Sequence, residues 1–192
     1  TLFRSGYSVS DKMKKMGWWA SDTGEIYFDN CRVPVSNRIG EKNKGFYYQM
    51  ENFQMERLGM AIECNMISEL CLEESLKYAK EREAFGKALS GFQVTRHKLS
   101  EMATLLEASR EFTYRVGAMV NAGEYKVKEV SMAKNFACQV SDKLTFDATQ
   151  IFGGYGFIRG NVVERLFRDN RIMSIGGGTT EIMNEIISKH IV

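Results

Sequence analysis

The sequence contains a single proline, Pro34, and only two histidines among its 192 residues. Because proline is the residue that most strongly interrupts helices, its scarcity leaves nearly the whole chain free to form long ones. His97 and His190 lie far apart, and the four cysteines show neither metal-type nor disulfide-type spacing. We therefore expect no metal site, and we expect the cysteines to be free thiols in a reducing compartment.

A long apolar run and an excess of one charge are also missing. No stretch of about 18 apolar residues occurs, so no membrane span is expected. The formal net charge is only +2, from 26 Lys and Arg against 24 Asp and Glu, which disfavours nucleic-acid binding as the function. Hydrophobic residues make up 44% of the chain, as in ordinary globular domains. The chain opens at Thr1 rather than at a methionine, and we expect it to be part of a longer protein.

The first forty-odd residues have the character of short strands. Residues 7–9 alternate in polarity and residues 26–28 form a β-prone cluster, with Gly17 and Gly24 between the two segments. We expect residues 1–43 to be the end of a β-domain, because two such short strands cannot bury a core of their own.

From residue 44 onward the pattern becomes helical. The third helix is the clearest, since its apolar residues recur every three or four positions along one face. These residues are Val130, Ala133, Ala137, Val140, Leu144, Ala148 and Ile151. Helices are predicted over residues 46–82, 93–121, 125–151, 162–168 and 180–190. Long helices joined by short turns indicate a mainly α fold, an antiparallel helical bundle over residues 44–192.

The turn between the first two helices carries residues that are suited to ligand binding. Arg82 stands at a helix end and is followed by Phe85 and Gly86, and Gln93 opens the next helix. The guanidinium of Arg82 suits either of two roles, because it can complement the negative end of the helix dipole or bind a phosphate.

A second turn, residues 150–157, contains three glycines in four positions. Glycines such as Gly153 and Gly154 let a ligand or another backbone approach closely. The segment is not a dinucleotide-binding fingerprint, since no strand precedes it. A tight turn between helices and a ligand site explain this segment equally well.

A third turn leads into the last helix through Gly176, Gly177 and Gly178, with Thr179 and Thr180 following. Free backbone amides at the start of a helix favour an anion. Helix capping accounts for the threonines but not for three consecutive glycines. The pattern therefore predicts an anion-binding turn.

In this order and spacing, the segments resemble the acyl-CoA dehydrogenase family. The resemblance rests on Arg82-x-x-Phe85-Gly86-Lys87, Gln150 to Phe157, Arg168-Asp169-x-Arg171-Ile172 and Gly178 to Ile182, and upstream on Ser21 to Thr23 and Phe28 to Pro34. It covers essentially the whole chain. It implies that residues 1–43 end the family's middle β-domain and that residues 44–192 form its C-terminal helical domain. The family's N-terminal helical domain has no counterpart here.

The resemblance implies an enzyme that uses FAD, bound at an interface between subunits. The positions implied to contact FAD held mainly by a neighbouring subunit are Arg82, Phe85 and Gln93. The positions implied to approach its adenine and pyrophosphate are Gln150, Gly153 and Gly154. The positions implied to lie along the cofactor near the last helix are Thr179 and Glu181.

In the family's reaction, a carboxylate removes the α-proton of an acyl-CoA thioester and a hydride passes from the β-carbon to the flavin. Most members carry this base as a Glu, preceded by a Tyr, at the positions that Gly177 and Gly176 occupy here. Branches resembling isovaleryl-CoA and long-chain acyl-CoA dehydrogenases carry the Glu on the first long helix, where this chain has Glu56 before Arg57. The resemblance therefore implies Glu56 as the base, with Phe53, Arg57 and the two glycines around the substrate. From the residues alone, a solvated helix face is the alternative for Glu56.

The partners implied are an acyl-CoA substrate, an electron-transfer flavoprotein as electron acceptor, and further copies of the chain in a homodimer or homotetramer. The compartment implied is the bacterial cytoplasm or the mitochondrial matrix. Two alternatives stay open. One is an acyl-CoA oxidase-like enzyme, in which oxygen reoxidises the flavin. The other is a non-catalytic helical assembly module that kept the fold and lost the chemistry.

Overall fold

The computed structural model describes residues 5–192, and the chain divides into two compact units, Thr1–Asn52 and Phe53–Val192. In the first unit, β1 (Tyr7–Val9) pairs antiparallel with β2 (Ile26–Phe28). Both predicted strands are thereby confirmed. No residue between positions 5 and 52 is buried, which agrees with the expectation that this segment has no core of its own.

Five helices follow, and each begins and ends within one turn of its predicted bounds. They are α1 (Gly45–Glu81), α2 (Gln93–Asn121), α3 (Val127–Phe152), α4 (Val162–Asn170) and α5 (Thr180–Ser188). None of these helices, within residues 5–192, is long and apolar enough to cross a bilayer. The predicted boundary between residues 43 and 44 stays a prediction, since α1 itself runs from the first unit into the second.

A small hairpin that the sequence pattern did not predict lies between α1 and α2. It pairs β3 (Glu83–Ala84) with β4 (Lys87–Ala88). The two residues between them, Phe85 and Gly86, have φ of 52° and 80°. Positive φ at both central positions is what a two-residue turn needs to match the twist of its strands.

Helices α1 and α2 run antiparallel and are joined by a buried polar cluster. The amide of Asn65 donates to the Thr113 hydroxyl at 2.9 Å, and the Ser109 hydroxyl donates to the Asn65 carbonyl oxygen at 2.6 Å. One turn along α1, Glu69 pairs with Arg110 at 2.7 Å. Because buried polar groups are costly unless they are paired, this cluster fixes the register of the two helices.

Helices α2 and α3 are joined by ion pairs around one buried carboxylate. Asp147 accepts hydrogen bonds from Lys98 of α2 at 2.6 Å and from Lys143 at 2.9 Å, one turn earlier on α3. Lys143 also contacts the more exposed Glu101 of α2 at 3.3 Å. The order of these contacts along the two helices is reversed, so α2 and α3 are antiparallel, as predicted for the bundle.

Helix α3 also packs against α1, and these two helices run in the same direction. The Sγ atoms of Cys64 and Cys138 lie 3.7 Å apart. Further along, the rings of Tyr78 and Phe152 stack with their centroids 4.1 Å apart. Most of the predicted stripe on α3 is buried, as at Ala137. The stripe belongs to the buried core that α3 shares with α1 and α2, and this core supports the turns described below.

We expect Asp147→Asn to lower the free energy of unfolding by about 1–3 kcal/mol, because Lys98 and Lys143 lose a buried charged acceptor. Burial alone raises the pKa of Asp147, but its hydrogen bonds with the two lysines outweigh that effect and hold this pKa below its usual value. A lowered carboxyl pKa contributes stability above the unfolded value of about 3.9, and this contribution disappears as the pH falls through the native value. Urea unfolding at neutral and at acid pH measures both effects, and the difference between variant and wild type should shrink in acid.

The matched control is Glu101→Gln, which removes an exposed carboxylate from the same Lys143. It should change the free energy of unfolding by less than about 1 kcal/mol, because exposed ion pairs contribute little. Equal losses in the two variants would contradict the central role of Asp147.

Candidate functional site

The glycine turn, residues 174–179, connects the end of α4 to the start of α5. Gly177 and Gly178 have φ of +64° and +106°, which residues with a side chain rarely adopt. The Thr179 side chain caps α5 by accepting a hydrogen bond from the Ile182 amide at 3.3 Å. The three glycines and the threonine cap therefore form one tight turn, as the sequence predicted.

Two buried cations hold the carbonyl groups of this glycine turn. Arg57 of α1 donates from Nε to the Gly177 carbonyl oxygen at 2.9 Å. Lys134 of α3 donates from Nζ to the Gly178 carbonyl oxygen at 2.5 Å. Arg57 is 4% exposed and Lys134 is 0% exposed. The turn is thus tied to both long helices by charge-assisted hydrogen bonds, which are stronger than neutral ones.

Burial lowers the pKa of both cations. For Arg57, nearby Tyr125 and Glu56 partly offset the effect of burial. For Lys134, burial is again the main cause, the neighbouring Arg57 adds to it, and two cysteine sulfurs oppose it. The region beneath the turn is therefore both desolvated and positively charged, which favours an anion nearby.

A side chain at position 177 would require the Met60 side chain to move. A Cβ atom placed on Gly177 would lie 2.6 Å from the Met60 sulfur, and one on Gly178 would lie 2.7 Å from the Met183 methyl group. At Gly176 the nearest atoms are 3.4 Å or more away, so that position is less crowded. At both glycines the backbone conformation disfavours a side chain, and an added Cβ would also displace the end of a methionine side chain.

The turn of α1 that carries Glu56 lies next to the glycine turn. Its neighbours in the helix make the contacts, since Arg57 bonds to Gly177 and Met60 packs against it. Glu56 itself is exposed within this chain. Phe53, one turn earlier, places its ring 5.7 Å from the Arg57 guanidinium. Residues three and four apart share a helix face, so Phe53, Glu56 and Met60 border the same surface.

A cavity of about 420 Å³ brings two of the predicted segments together. Its lining includes Arg82 from the end of α1 and both Gly153 and Gly154 from the turn after α3. A Cβ atom on either glycine would meet open space, so their backbone is accessible. The stacked rings of Tyr78 and Phe152 complete one wall. The result is a cationic side chain beside a bare stretch of backbone.

A second cavity, of about 500 Å³, shares Gly153 with the first. Gln150 lines it, together with three aromatic side chains that are exposed in the chain by itself, Phe146, Phe157 and Phe167. The lining also includes the ion pair between Glu164 and Arg168, and aromatic walls beside polar groups suit a planar ring that needs hydrogen bonds. Four of the predicted residues therefore lie around two adjoining cavities.

The remaining predicted residues lie elsewhere on the surface. Phe85 is 96% exposed at the hairpin tip, and Gln93 is exposed at the start of α2, where its amide is 3.4 Å from His97. Neither residue lines the two cavities described above. Glu181 is exposed in the first turn of α5, where its own backbone amide and the Thr179 hydroxyl lower its pKa.

The sequence analysis did not single out Lys134 or Met60. Lys134 had a visible signal, because it stands in the register of the buried α3 stripe, four residues after Val130 and four before Cys138. A lysine on an apolar face is unusual unless it is paired. Met60 had no such signal, since a methionine on a long helix reads simply as part of the core.

Comparisons with known proteins agree with this arrangement. The family model for the C-terminal domain of acyl-CoA dehydrogenase matches residues 43–192. An acyl-CoA dehydrogenase of Bacillus subtilis (strain 168) is 41% identical over 186 residues, which are 97% of this chain and 49% of that protein. The caffeyl-CoA reductase–Etf complex subunit CarC of Acetobacterium woodii is 37% identical, with the same 97% and 49% coverage. The crystal structure of acyl-CoA dehydrogenase from Geobacillus kaustophilus superposes with a TM-score of 0.95 at 39% identity, covering 97% of this chain and 49% of that one.

The bundle, its turns and these matches define the class as a C-terminal helical domain of the acyl-CoA dehydrogenase type. The chain belongs to the acyl-CoA dehydrogenase family. It spans about half the length of the curated relatives that it matches.

We expect Gly177→Ala to lower the free energy of unfolding more than Gly123→Ala does. Both glycines have positive φ, which costs about 1–2 kcal/mol for a residue with a side chain. Only at Gly177 would the added Cβ also meet another atom, the Met60 sulfur. Adding Met60→Ala should remove this extra loss, and urea unfolding of the double-mutant cycle measures the coupling. Equal losses at the two glycines, without any coupling to Met60, would contradict the crowding.

Proposed function

We propose that the protein catalyses the FAD-dependent α,β-dehydrogenation of an acyl-CoA thioester to its trans-2-enoyl-CoA, with Glu56 as the base for the α-proton. The observation that carries this proposal is the docking of the α1 turn around Glu56 onto the glycine turn. Arg57 makes this contact by its 2.9 Å hydrogen bond to the Gly177 carbonyl oxygen, and Met60 makes it by packing.

The crowding at position 177 supports a base on α1. A carboxylate at that position would have to displace the Met60 sulfur and would stand on a backbone with φ of +64°, which residues with a side chain rarely adopt. Glu56 lies four residues before Met60, so it shares the face of α1 that packs against Gly177. A base at position 56 or at position 177 would serve the same region. Of these two positions, only position 56 carries an acidic side chain in this chain. Phe53 and Gly176 then supply apolar surface and space around an acyl chain.

A base for an α-proton works best when its pKa is matched to the reaction and water is excluded. The side chain of Glu56 is exposed in this chain alone. In the proposed complex, the bound thioester covers Glu56 and takes the place of solvent. Arg57 is held in place by its hydrogen bond to Gly177 and by the Phe53 ring. It therefore contributes a fixed positive charge beside Glu56 while Glu56 takes the proton.

The residues around the two cavities fit FAD. The Arg82 guanidinium beside the open backbone of Gly153 and Gly154 suits a pyrophosphate, and the aromatic cavity with Gln150 suits an adenine ring. Phe85 and Gln93 would meet the cofactor from the adjacent hairpin and helix start. Thr179 and Glu181 would lie along it near the glycine turn. When bound, FAD supplies the acceptor for the hydride.

The proposed assembly is a homodimer or homotetramer, in which the FAD site is completed by a neighbouring subunit. The exposed aromatic side chains of the second cavity agree with this, since large exposed apolar patches commonly mark interfaces. An electron-transfer flavoprotein is proposed as the acceptor that reoxidises the flavin, because the relative CarC is named as part of a complex with Etf. The proposed compartment is the bacterial cytoplasm or the mitochondrial matrix.

We expect Glu56→Gln to slow the anaerobic bleaching of bound flavin by acyl-CoA at least about a thousandfold, because no other group takes the α-proton. Bound FAD should be retained, which the flavin absorbance of the purified variant measures. A panel of straight and branched acyl-CoAs identifies the substrate class in the wild-type protein. Oxygen consumption during turnover separates an oxidase from a dehydrogenase.

The matched control is Glu63→Gln, which removes a carboxylate two turns further along the same face of α1. Partial burial raises the pKa of Glu63, so it is the strongest competitor for the role of base. Near wild-type bleaching in this control supports Glu56. Loss of bleaching in Glu63→Gln with retention in Glu56→Gln would move the base to Glu63, and a wild-type protein with FAD that no thioester bleaches would overturn the proposed function.

We expect Arg82→Gln to weaken FAD binding about tenfold or more, because charge-assisted hydrogen bonds to an anion contribute about 1.5–3 kcal/mol. Titration of the apoprotein with FAD, followed by flavin fluorescence, measures the dissociation constant. Arg115→Gln, at an exposed position on α2, is the control and should leave binding unchanged. Equal effects in the two variants would show that Arg82 acts only through the overall charge.

A further inference from the structure

Lys134 is the largest fully buried side chain in the part of the chain that the structure describes. It forms no ion pair with a carboxylate of residues 5–192, and its one hydrogen bond goes to the neutral carbonyl group of Gly178. The groups that face it are Arg57 and Cys64 of α1 and Cys138 of its own helix. A second cation and two thiols do not compensate the charge of an ammonium group.

A buried ammonium without a carboxylate partner destabilises a fold, because the group gives up its hydration for a single neutral acceptor. A lysine needed only for packing could be replaced by a methionine of similar length at no such cost. Charged groups kept in unfavourable surroundings are concentrated at functional sites. Among the described loops, Lys134 forms a hydrogen bond only with the glycine turn. The effect of its charge is therefore exerted on that turn.

The two cations determine how the peptide groups of the glycine turn are oriented. In a trans peptide the C=O and N–H bonds point in opposite directions. Because the Gly177 carbonyl points to Arg57, the Gly178 amide points away from it, and because the Gly178 carbonyl points to Lys134, the Thr179 amide points away as well. Within residues 5–192 these two amides donate to no other group. They are free donors with a fixed direction.

We infer that Lys134 is a positioning residue for the proposed reaction, which it serves by holding the Gly178–Thr179 peptide so that its amide faces the bound ligands. This inference rests on the proposed function, since those ligands are the acyl-CoA thioester and FAD. The charge of Lys134 also lies beneath the turn, where it stabilises negative charge that develops on the substrate when the α-proton leaves.

The first test does not depend on the reaction. Hydrogen–deuterium exchange of the glycine turn is compared between the wild-type protein at its natural length, Lys134→Met and the control Lys128→Met on the same helix. We expect the hydrogen-bonded amides at this turn, those of Gly176 and Thr180, to exchange about tenfold faster in Lys134→Met and unchanged in the control, because local exchange reports local opening. Unchanged exchange in Lys134→Met would overturn the inference.

The second test separates positioning from general stability. We expect Lys134→Met to lower kcat about tenfold while KM for the acyl-CoA changes less than about twofold, because the loss concerns the transition state. Lys134→Arg, which keeps both charge and donor, should recover most of the lost kcat. If Lys134→Met does not fold, Lys134→Arg is measured in its place. Exchange at the wild-type rate together with a kcat near wild type in this variant then supports the same role.

Equal changes of kcat in Lys134→Met and Lys134→Arg, without faster exchange, would assign Lys134 to packing alone. Failure of the proposed function is recognised separately, because then no acyl-CoA bleaches the flavin of the wild-type protein. The exchange experiment still decides whether Lys134 fixes the glycine turn.

Discussion

Packing of α1 beside α3 is the constraint on which the candidate site depends. The two helices run in the same direction, and Cys64 of α1 touches Cys138 of α3. At that distance Arg57 and Lys134, one from each helix, reach the same short turn from below. Bulkier side chains at this contact would separate the helices, and the two cations could no longer hold adjacent carbonyl groups.

The conformation of the glycine turn bears on where the base of the proposed reaction can stand. Its positive φ angles and the nearby Met60 sulfur disfavour a side chain at position 177. The facing turn of α1 offers Glu56 next to the residue that anchors the turn. In the proposed reaction, the carboxylate therefore comes from the helix and not from the glycine turn.

The two cavities depend on where the helices end. Arg82 and the exposed backbone of Gly153 and Gly154 are brought together because α1 and α3 run in the same direction and end at the same level. Their openness within one chain, together with the exposed aromatic side chains beside them, suits a site completed by other parts of an assembly. The polar cluster around Asn65 and the ion pairs of Asp147, by contrast, are satisfied within the chain and serve its stability.

The sequence by itself determined the elements and their order. Periodicity of three and four residues, glycine stops and a single proline were enough to place five helices and two strands, because these signals are local. The motifs at the turns were also readable, but Glu56 was implied as the base only by the resemblance to the family. The deep burial of Arg57 was not foreseen, since an arginine beside a candidate base suggests a ligand contact rather than a structural anchor.

Only the tertiary structure decided which residues meet. Lys134 lies 44 positions before the carbonyl group that it bonds, and Arg57 lies 120 positions before its own. No local pattern encodes such pairs, because they depend on how closely and in which direction α1 and α3 pack. The same is true of Met60 and Gly177, whose crowding exists only once the helix and the turn are in contact. Local sequence sets backbone preference, whereas the free energy of packing selects the long-range contacts from which the site is built.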